Sequence, residues 1–212
     1  MTPLNTHQEH VAQALINNLN KRQMDGFYCK SVEEVQSLVA SLVASDSSVS
    51  FGGSMTLEEL GILSGLRSRN DIHLIDRSLA KDAADTTRMY HDALNCDTYL
   101  MSSNAITKSG ELLNIDGNGN RVAALIYGPA QVLVIAGMNK VCEDLDDAMK
   151  RVRNTATPAN CLRLNRQTPC SVTGTCADCL SPDCICNQIV TTRRSGICGR
   201  IKVILVEGSW GY

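Results

Sequence analysis

"SVSFGGSMTLEELGIL", residues 48–63, decides how the chain folds. A four-residue β-type run, a turn carrying Gly52 and Gly53, and a helical run beginning near Leu57 follow one another without a spacer. A strand passing through a tight turn into a helix is the unit of a parallel sheet, because parallel neighbours need a crossover to bring the chain back to the same edge.

The unit recurs on both sides. Toward the N-terminus, Val11, Ala14, Leu15, Ile16 and Leu19 recur at helical spacing between Gln8 and Met24 and predict an amphipathic opening helix. Gly26–Cys29 is a short β-type run. Ser31 followed by Glu33 and Glu34 is an N-cap with acidic residues in the first turn, predicting a helix to about Ala44. Toward the C-terminus, 71–76 predicts a strand, 79–94 a helix and 97–103 another strand. After Asn104, "AITKSGELLNID", "GNGN" and "RVAALIYGPAQVLVIAG" hold β-type runs joined by Gly-, Asn- and Pro-containing turns, which predict a hairpin feeding two central strands. Cys142 to about Arg153 predicts one more helix, acidic at its start (Glu143, Asp144) and basic at its end (Lys150, Arg151, Arg153). "RIKVILVEGSWGY" (200–212) closes the chain as a final strand. The expectation is one α/β domain over 1–212, its mostly parallel sheet covered on both faces, with a Cys-rich insertion at about 160–198.

Composition supports this class. Hydrophobic residues at 43% and charged residues at 20% are the balance of an ordinary folded α/β chain, and 212 residues suffice for one well-buried core. A net charge of -2, with scattered Lys and Arg, argues against nucleic acid as a partner. No apolar stretch approaches the roughly 18 residues of a membrane helix. "MTPLNTHQEH" lacks the layout of a secretory signal, so a cytoplasmic location is expected. Val and Ile alternating in the last strands suit a homodimer through a sheet edge.

Two polar stretches are candidate ligand sites. Gly52, Gly53, Ser54 and Thr56 lie where a strand delivers the chain to a helix. At the carboxyl edge of an α/β sheet, free backbone N–H groups and the helix dipole favour an anion there, such as a carboxylate, phosphate or CoA-type group. The bland reading is a tight turn with Thr56 as N-cap. "SSNAITKSGELLNIDGNGNR" adds Asn104, Thr107, Glu111, Asn114, Asp116, Asn120 and Arg121; its Asn, Asp and Gly residues also suit a turn needing no ligand. Arg121 and Lys140 are either anion holders or surface charges. The histidines show no ligand spacing, and neither a nucleophile elbow nor G-x-G-x-x-G is present.

The third candidate is "PCSVTGTCADCLSPDCIC", residues 169–186, with five of the chain's ten cysteines. Cys170, Cys176, Cys179 and Cys186 are spaced C-x5-C-x2-C-x6-C. A C-x2-C pair holds one metal from a tight turn, and two flanking thiolates complete a tetrahedron. Iron-sulfur and zinc both accept this set, and the bland alternative is reduced or adventitiously paired thiols. Cys161 and Cys198 are outer partners, whereas Cys29, Cys96 and Cys142 read as small buried hydrophobes.

"FGGSMTLEELGI", "SSNAITKSGELLNIDGNGNRVAALIYGPAQVLVIAGMNK" and "RIKVILVEGSWGY" together resemble the LUD domain of lactate-utilisation proteins, across most of the chain. The cysteine segment resembles a single-domain branch with a recurring "PC…TG.C.DC.SP…ICN" pattern, in which the position of Cys184 is commonly basic; Cys184 is therefore an extra thiol. The resemblance implies a Rossmann-like three-layer sandwich similar to the sugar-phosphate isomerase / CoA transferase superfamily. It also implies a link to oxidation of L-lactate, often alongside iron-sulfur and flavin-type partners. Enzymes of that fold place an acidic residue near this part of the sheet, which marks Glu111 as the acid/base or nucleophile candidate, against a solvated hairpin carboxylate. Three readings follow. The first is an accessory or subunit in oxidation of lactate or a related 2-hydroxy acid, with a small anionic ligand, redox partner subunits and an iron-sulfur cluster (alternatively zinc). The second is a stand-alone enzyme or sensor for a phosphorylated or CoA-linked metabolite with structural zinc. The third is a metal-stabilised assembly module.

Overall fold

A computed structural model describes residues 2–212. The chain opens with α1 (Pro3–Lys21), capped by the Thr2 hydroxyl, and continues through β1 (Asp25–Cys29), α2 (Val32–Leu42) and β2 (Ser48–Phe51). Two short helices follow, α3 (Met55–Glu59) and α4 (Ile62–Ser68), then β3 (His73–Ile75), α5 (Ala83–Leu94) and β4 (Thr98–Met101). Next come β5 (Ala105–Thr107), β6 (Leu112–Asp116), α6 (Asn120–Ile126), β7 (Gln131–Gly137) and β8 (Val141–Cys142). The chain ends with α7 (Leu145–Arg151), α8 (Thr157–Arg163), α9 (Pro169–Thr173), β9 (Gln188–Thr192) and β10 (Ile201–Val206).

Six strands form one sheet in the order β1-β10-β7-β4-β2-β3, with every pairing parallel. Successive residues of each strand serve opposite faces, so β7 sends Val132, Val134 and Ala136 to one core and Leu133 and Ile135 to the other. The first core is covered by α1, α5 and α6 through residues such as Leu15, Leu19, Ala93 and Leu125. The second is covered by α2, α3 and α4 through Val35, Val39, Leu57, Leu63 and Leu66. Helix layers on both faces of a parallel sheet make the three-layer α/β/α sandwich expected from the strand–turn–helix repeat.

A four-stranded sheet, β8-β5-β6-β9, is built from excursions at the carboxyl edge of the main sheet. The segment after Asn104 therefore departs from the expected pair of central strands: only β7 is central, while the hairpin β5–β6 belongs to the smaller sheet. Residues 120–126 are a helix. Gly119, in the left-handed region, starts α6, and the Arg200 guanidinium ends it by donating to the carbonyls of Ala124 and Leu125, the groups a helix terminus leaves unpaired. A buried arginine 75 positions beyond Leu125 is not legible in the local pattern. The helix expected to end near Arg153 instead runs on through a π-helical turn (Val152–Ala156) into α8, which absorbs Pro158. The last strand, β10, lies between β1 and β7, so it is not an edge strand; the edges of the main sheet are β1 and β3.

Candidate functional site

From β2 the chain turns one way to β3 and then back to β4 on the other side, so the topology switches between β2 and β4. Loops diverge at the carboxyl ends of strands at such a point and leave a crevice. A cleft of about 290 Å³ opens there. Its walls are the turn after β2 (Gly53, Ser54, Thr56), the loop after β4 (Ser102–Asn104), the end of β6 (Ile115–Asn118), and Lys140 beyond β7. The π-helical turn brings Thr157, Asn160 and Arg163 onto the remaining wall at a spacing of three, one face of α8. Tyr212 closes the rim. Arg77, Arg121, Lys140, Arg163 and Arg166 line the cleft against one carboxylate, Asp116. The enclosed space is basic although the chain is net acidic.

Two of these cations are scaffold. Arg121 donates to the carbonyls of Ser102 and Ile115 and to the side-chain oxygens of Asn104 and Asn114, and its Nε lies 3.2 Å from Asp116 Oδ2. Its guanidinium is thereby committed, and it fastens the smaller sheet to the edge of the larger one. Arg166 faces Asp183 at 3.7 Å. Arg77 and Arg163, by contrast, touch only neutral groups among the described residues: Arg77 the Tyr90 hydroxyl at 3.2 Å, and Arg163 the Asn160 side-chain oxygen at 2.8 and 3.0 Å and the Tyr212 hydroxyl.

Lys140 is the unusual member. It is 3% exposed and has no carboxylate within ion-pair distance among the described residues. Its Nζ donates to Thr56 Oγ1 (2.8 Å) and Ser102 Oγ (3.0 Å). Burial pushes its pKa down to about 7, repulsion from Arg151 and Arg121 adds to this, and Glu59 opposes it weakly. The C-terminal segment seals the position. Asn139 binds both the Trp210 N–H and the Gly211 carbonyl, the Gly211 N–H donates to Glu59, and Thr56 Oγ1 donates to the Trp210 carbonyl. Gly211 sits at φ +60, and a Cβ there would fall 2.6 Å from Thr56 Oγ1, so the close passage requires glycine.

The proposed ligand residues divide accordingly. Gly53, Ser54, Thr56, Asn104 and Arg121 line the cleft. Gly52 lies beneath it, where a Cβ would meet Arg121 Cδ and Tyr99 Oη at 3.1 Å, and Asn114 is buried behind Arg121. The N-cap of α3 is Ser54; Thr56 stands inside the helix with its hydroxyl toward Lys140. Glu111 lies at the other end of β6, roughly 15 Å along the strand from Asp116, bound by Arg22, Thr107 and Ser109. Burial raises its pKa, but Ser109, Thr107 and the Arg22 charge outweigh that and hold it below the usual glutamate range. Arg77, Arg163, Arg166 and Tyr212 belong to no sequence motif. The one signal that could have marked any of them is Arg163 in the last turn of α8, and a helix dipole explains that position equally well.

The cysteines gather beside this cleft. Cys161, Cys170, Cys176, Cys179, Cys184 and Cys186 line one cavity of about 100 Å³ that shares Ile115, Thr157 and Ile185 with the basic cleft. Cys161 and Cys170 approach to 3.8 Å between sulfurs, and burial, then Cys184, pushes the Cys186 thiol up to about 12. Cys198 stands apart and exposed, and Cys29, Cys96 and Cys142 are buried. Among the described residues no group of three or more His, Cys, Asp or Glu side chains is placed to hold a metal ion. The thiols surround a space without converging on a point.

The match to known proteins covers the framework up to the end of β10. The LUD domain model matches residues 12–206. The chain belongs to the LUD domain family. It is thus of the lactate-utilisation type; the strand–turn–helix motif, the cysteine segment and every cleft residue named above except Tyr212 lie inside the matched region. Among solved structures, a DUF162 family protein from Deinococcus radiodurans is similar at 12% identity and TM-score 0.53, with 96% of this chain and 98% of that one covered. That likeness shows a shared fold. Ribose 5-phosphate isomerase from Plasmodium falciparum (16% identity, TM-score 0.33, 53% and 52% covered) and eIF2B beta from Chaetomium thermophilum (14%, 0.38, 56% and 45%) overlap only partly. No curated protein matched. Among the described residues no helix is long and apolar enough to cross a membrane.

Proposed function

We propose that this LUD domain binds a small anionic metabolite in the cleft between β2 and β4, and that it serves oxidation of lactate or a related 2-hydroxy acid as a subunit or accessory of a redox assembly. The observation that carries the binding is Lys140, a buried cation without a counter-charge, facing a cleft in which Arg77 and Arg163 also lack one. Burying cations with no anion is costly. A ligand carboxylate among these groups supplies the missing charge, in a space whose volume suits a metabolite of a few carbons better than a dinucleotide. A phosphorylated ligand is the second reading, favoured by the guanidinium groups, which match phosphate geometry.

The cysteine loop enters the proposal as the metal-binding element. An iron-sulfur cluster, or zinc in the alternative, suits six thiols around one cavity, but the loop must close for four of them to meet. Calorimetric titration with lactate, pyruvate and inorganic phosphate at low salt tests the cleft. Binding by at least one, weakened tenfold or more in Lys140→Met, supports it; no binding by any overturns it. Iron, zinc and sulfide analysis of protein purified without oxygen tests the loop. Metal content unchanged in Cys176→Ser removes Cys176 from the ligand set, and metal-free protein in every preparation removes the site.

A further inference from the structure

We infer that Lys140 is a nucleophile that forms an imine with a carbonyl compound carrying a carboxylate or phosphate group. The inference rests on the cleft binding small anions and deepens it by assigning Lys140 a covalent role.

The placement of Nζ carries it: buried, held by two hydroxyls, without a carboxylate at ion-pair distance among the described residues, and on the wall of the cleft. Thr56 Oγ1 donates its hydrogen to the Trp210 carbonyl at 3.0 Å, and Ser102 Oγ donates to the Ser103 carbonyl at 3.3 Å. Both hydroxyls therefore meet Lys140 as acceptors, at 2.8 and 3.0 Å. A neutral amine has two N–H groups and one lone pair. The two hydroxyls take both N–H groups and leave the lone pair without a hydrogen-bond partner among the described residues, on a side chain that lines the cleft. An ammonium would give two of its three N–H groups to the same hydroxyls, so these bonds fix the position of Nζ in either protonation state; in the neutral amine they hold the nitrogen in place for attack.

The charges around Nζ favour the neutral amine. Arg151 comes from α7, Arg121 from α6 and Glu59 from α3; the two arginines repel an ammonium and the one carboxylate attracts it only weakly. The ligand's own charge has separate partners. Arg77 and Arg163 stand on other walls of the same cleft, so an anionic group placed there leaves the carbonyl carbon to reach Nζ.

The step balances without an outside reagent. The Nζ lone pair forms a bond to the carbonyl carbon while the C=O π pair moves onto oxygen. That oxygen takes up the proton released from nitrogen, and the nitrogen lone pair then expels it as water with a second proton. Amine and carbonyl become imine and water, with no change in oxidation state. Tyr212 lines the same cleft, its buried hydroxyl beside the Arg163 guanidinium, which can only donate, so the phenolic hydrogen is a donor available to the departing oxygen.

The test is reductive trapping. Wild-type protein and Lys140→Arg are incubated with pyruvate, and separately with glyceraldehyde 3-phosphate, then treated with sodium cyanoborohydride. Adducts are located by intact mass and peptide mapping, and calorimetry without reductant runs alongside. The expected result is one adduct per chain at Lys140 with one of the two probes, absent from Lys140→Arg, forming several-fold faster at pH 8 than at pH 6 when the amount of bound probe is matched. Binding without an adduct at Lys140 overturns the imine and leaves the anion site standing. Neither binding nor adduct overturns both. Adducts spread over exposed lysines and unchanged in Lys140→Arg also overturn it. Should the variant fail to fold, the wild-type peptide map alone decides.

Discussion

Replacing Lys140 by methionine should stabilise the protein near neutral pH and lose that advantage as pH rises. In the folded chain the Lys140 pKa lies near 7, whereas in the unfolded chain it returns to the ordinary lysine range near 10.4. The unfolded state thus holds a proton across pH 7–10 that the folded state has largely released, so the Lys140 contribution to stability rises with pH through this window. At pH 7 the displaced titration amounts to roughly 4 kcal/mol against the folded state. Two hydrogen bonds, to Thr56 and Ser102, offset about 1 kcal/mol each. Methionine, unbranched and apolar, fills most of the same volume. Lys140→Met should therefore be more stable than wild type by about 2 kcal/mol at pH 7. Between pH 7 and 9 the wild type recovers about 2 kcal/mol, bringing the two near parity. Urea unfolding under reducing conditions, followed by the single tryptophan, Trp210, measures the difference. Thiols titrating in the same range are common to both proteins and cancel. A stability difference unchanged from pH 7 to pH 9 would refute the reasoning, because Lys140 would then carry the same charge folded and unfolded.

Other substitutions separate scaffold from site. Arg121→Met should cost about 3–5 kcal/mol, since it leaves Asp116 and several buried oxygens without their donor, and thermal unfolding should show the loss with or without ligand. Gly53→Ala places a Cβ 2.5 Å from Arg77 Nη2, the free end of a flexible side chain. It should weaken anion binding several-fold in calorimetry while changing stability by less than about 1 kcal/mol. Gly52→Ala instead presses on Arg121 and Tyr99, both fixed, and should cost about 1–3 kcal/mol in chemical unfolding. Glu111→Gln should lower stability by about 1 kcal/mol through the lost Arg22 pair and leave ligand affinity unchanged; a loss of affinity would return Glu111 to the site.

The architecture was legible wherever local pattern and tertiary role agree. In 48–63 the β-type run, the glycine turn and the helix are each encoded by their own residues, and the structure has β2, the turn and α3 there. Ser31 caps α2 as its sequence position indicates. The pattern misled at 120–126, where Val122, Ala124 and Leu125 suit strand or helix and the choice is made by Gly119 and the distant Arg200. Of the site, the glycine turn and the asparagine-rich stretch were visible because turn residues announce themselves. Lys140 was visible only as a charge. Its burial depends on Gly208–Tyr212 folding back over it, and Arg77 and Arg163 reach the cleft from segments 86 positions apart. The six-thiol cavity was partly legible through C-x2-C, but Cys161 joins it only because the π-helical turn carries α8 there.

A nitrogen-15 NMR pH titration of the Lys140 Nζ, assigned with Lys140→Met and repeated with saturating lactate, which has no ketone or aldehyde to trap the amine, tests the central claim directly. A midpoint near 7 in the free protein, moving upward when lactate occupies the cleft, is the expected result. A midpoint in the ordinary lysine range, unmoved by lactate, contradicts both the buried unpaired cation and the anion site built around it.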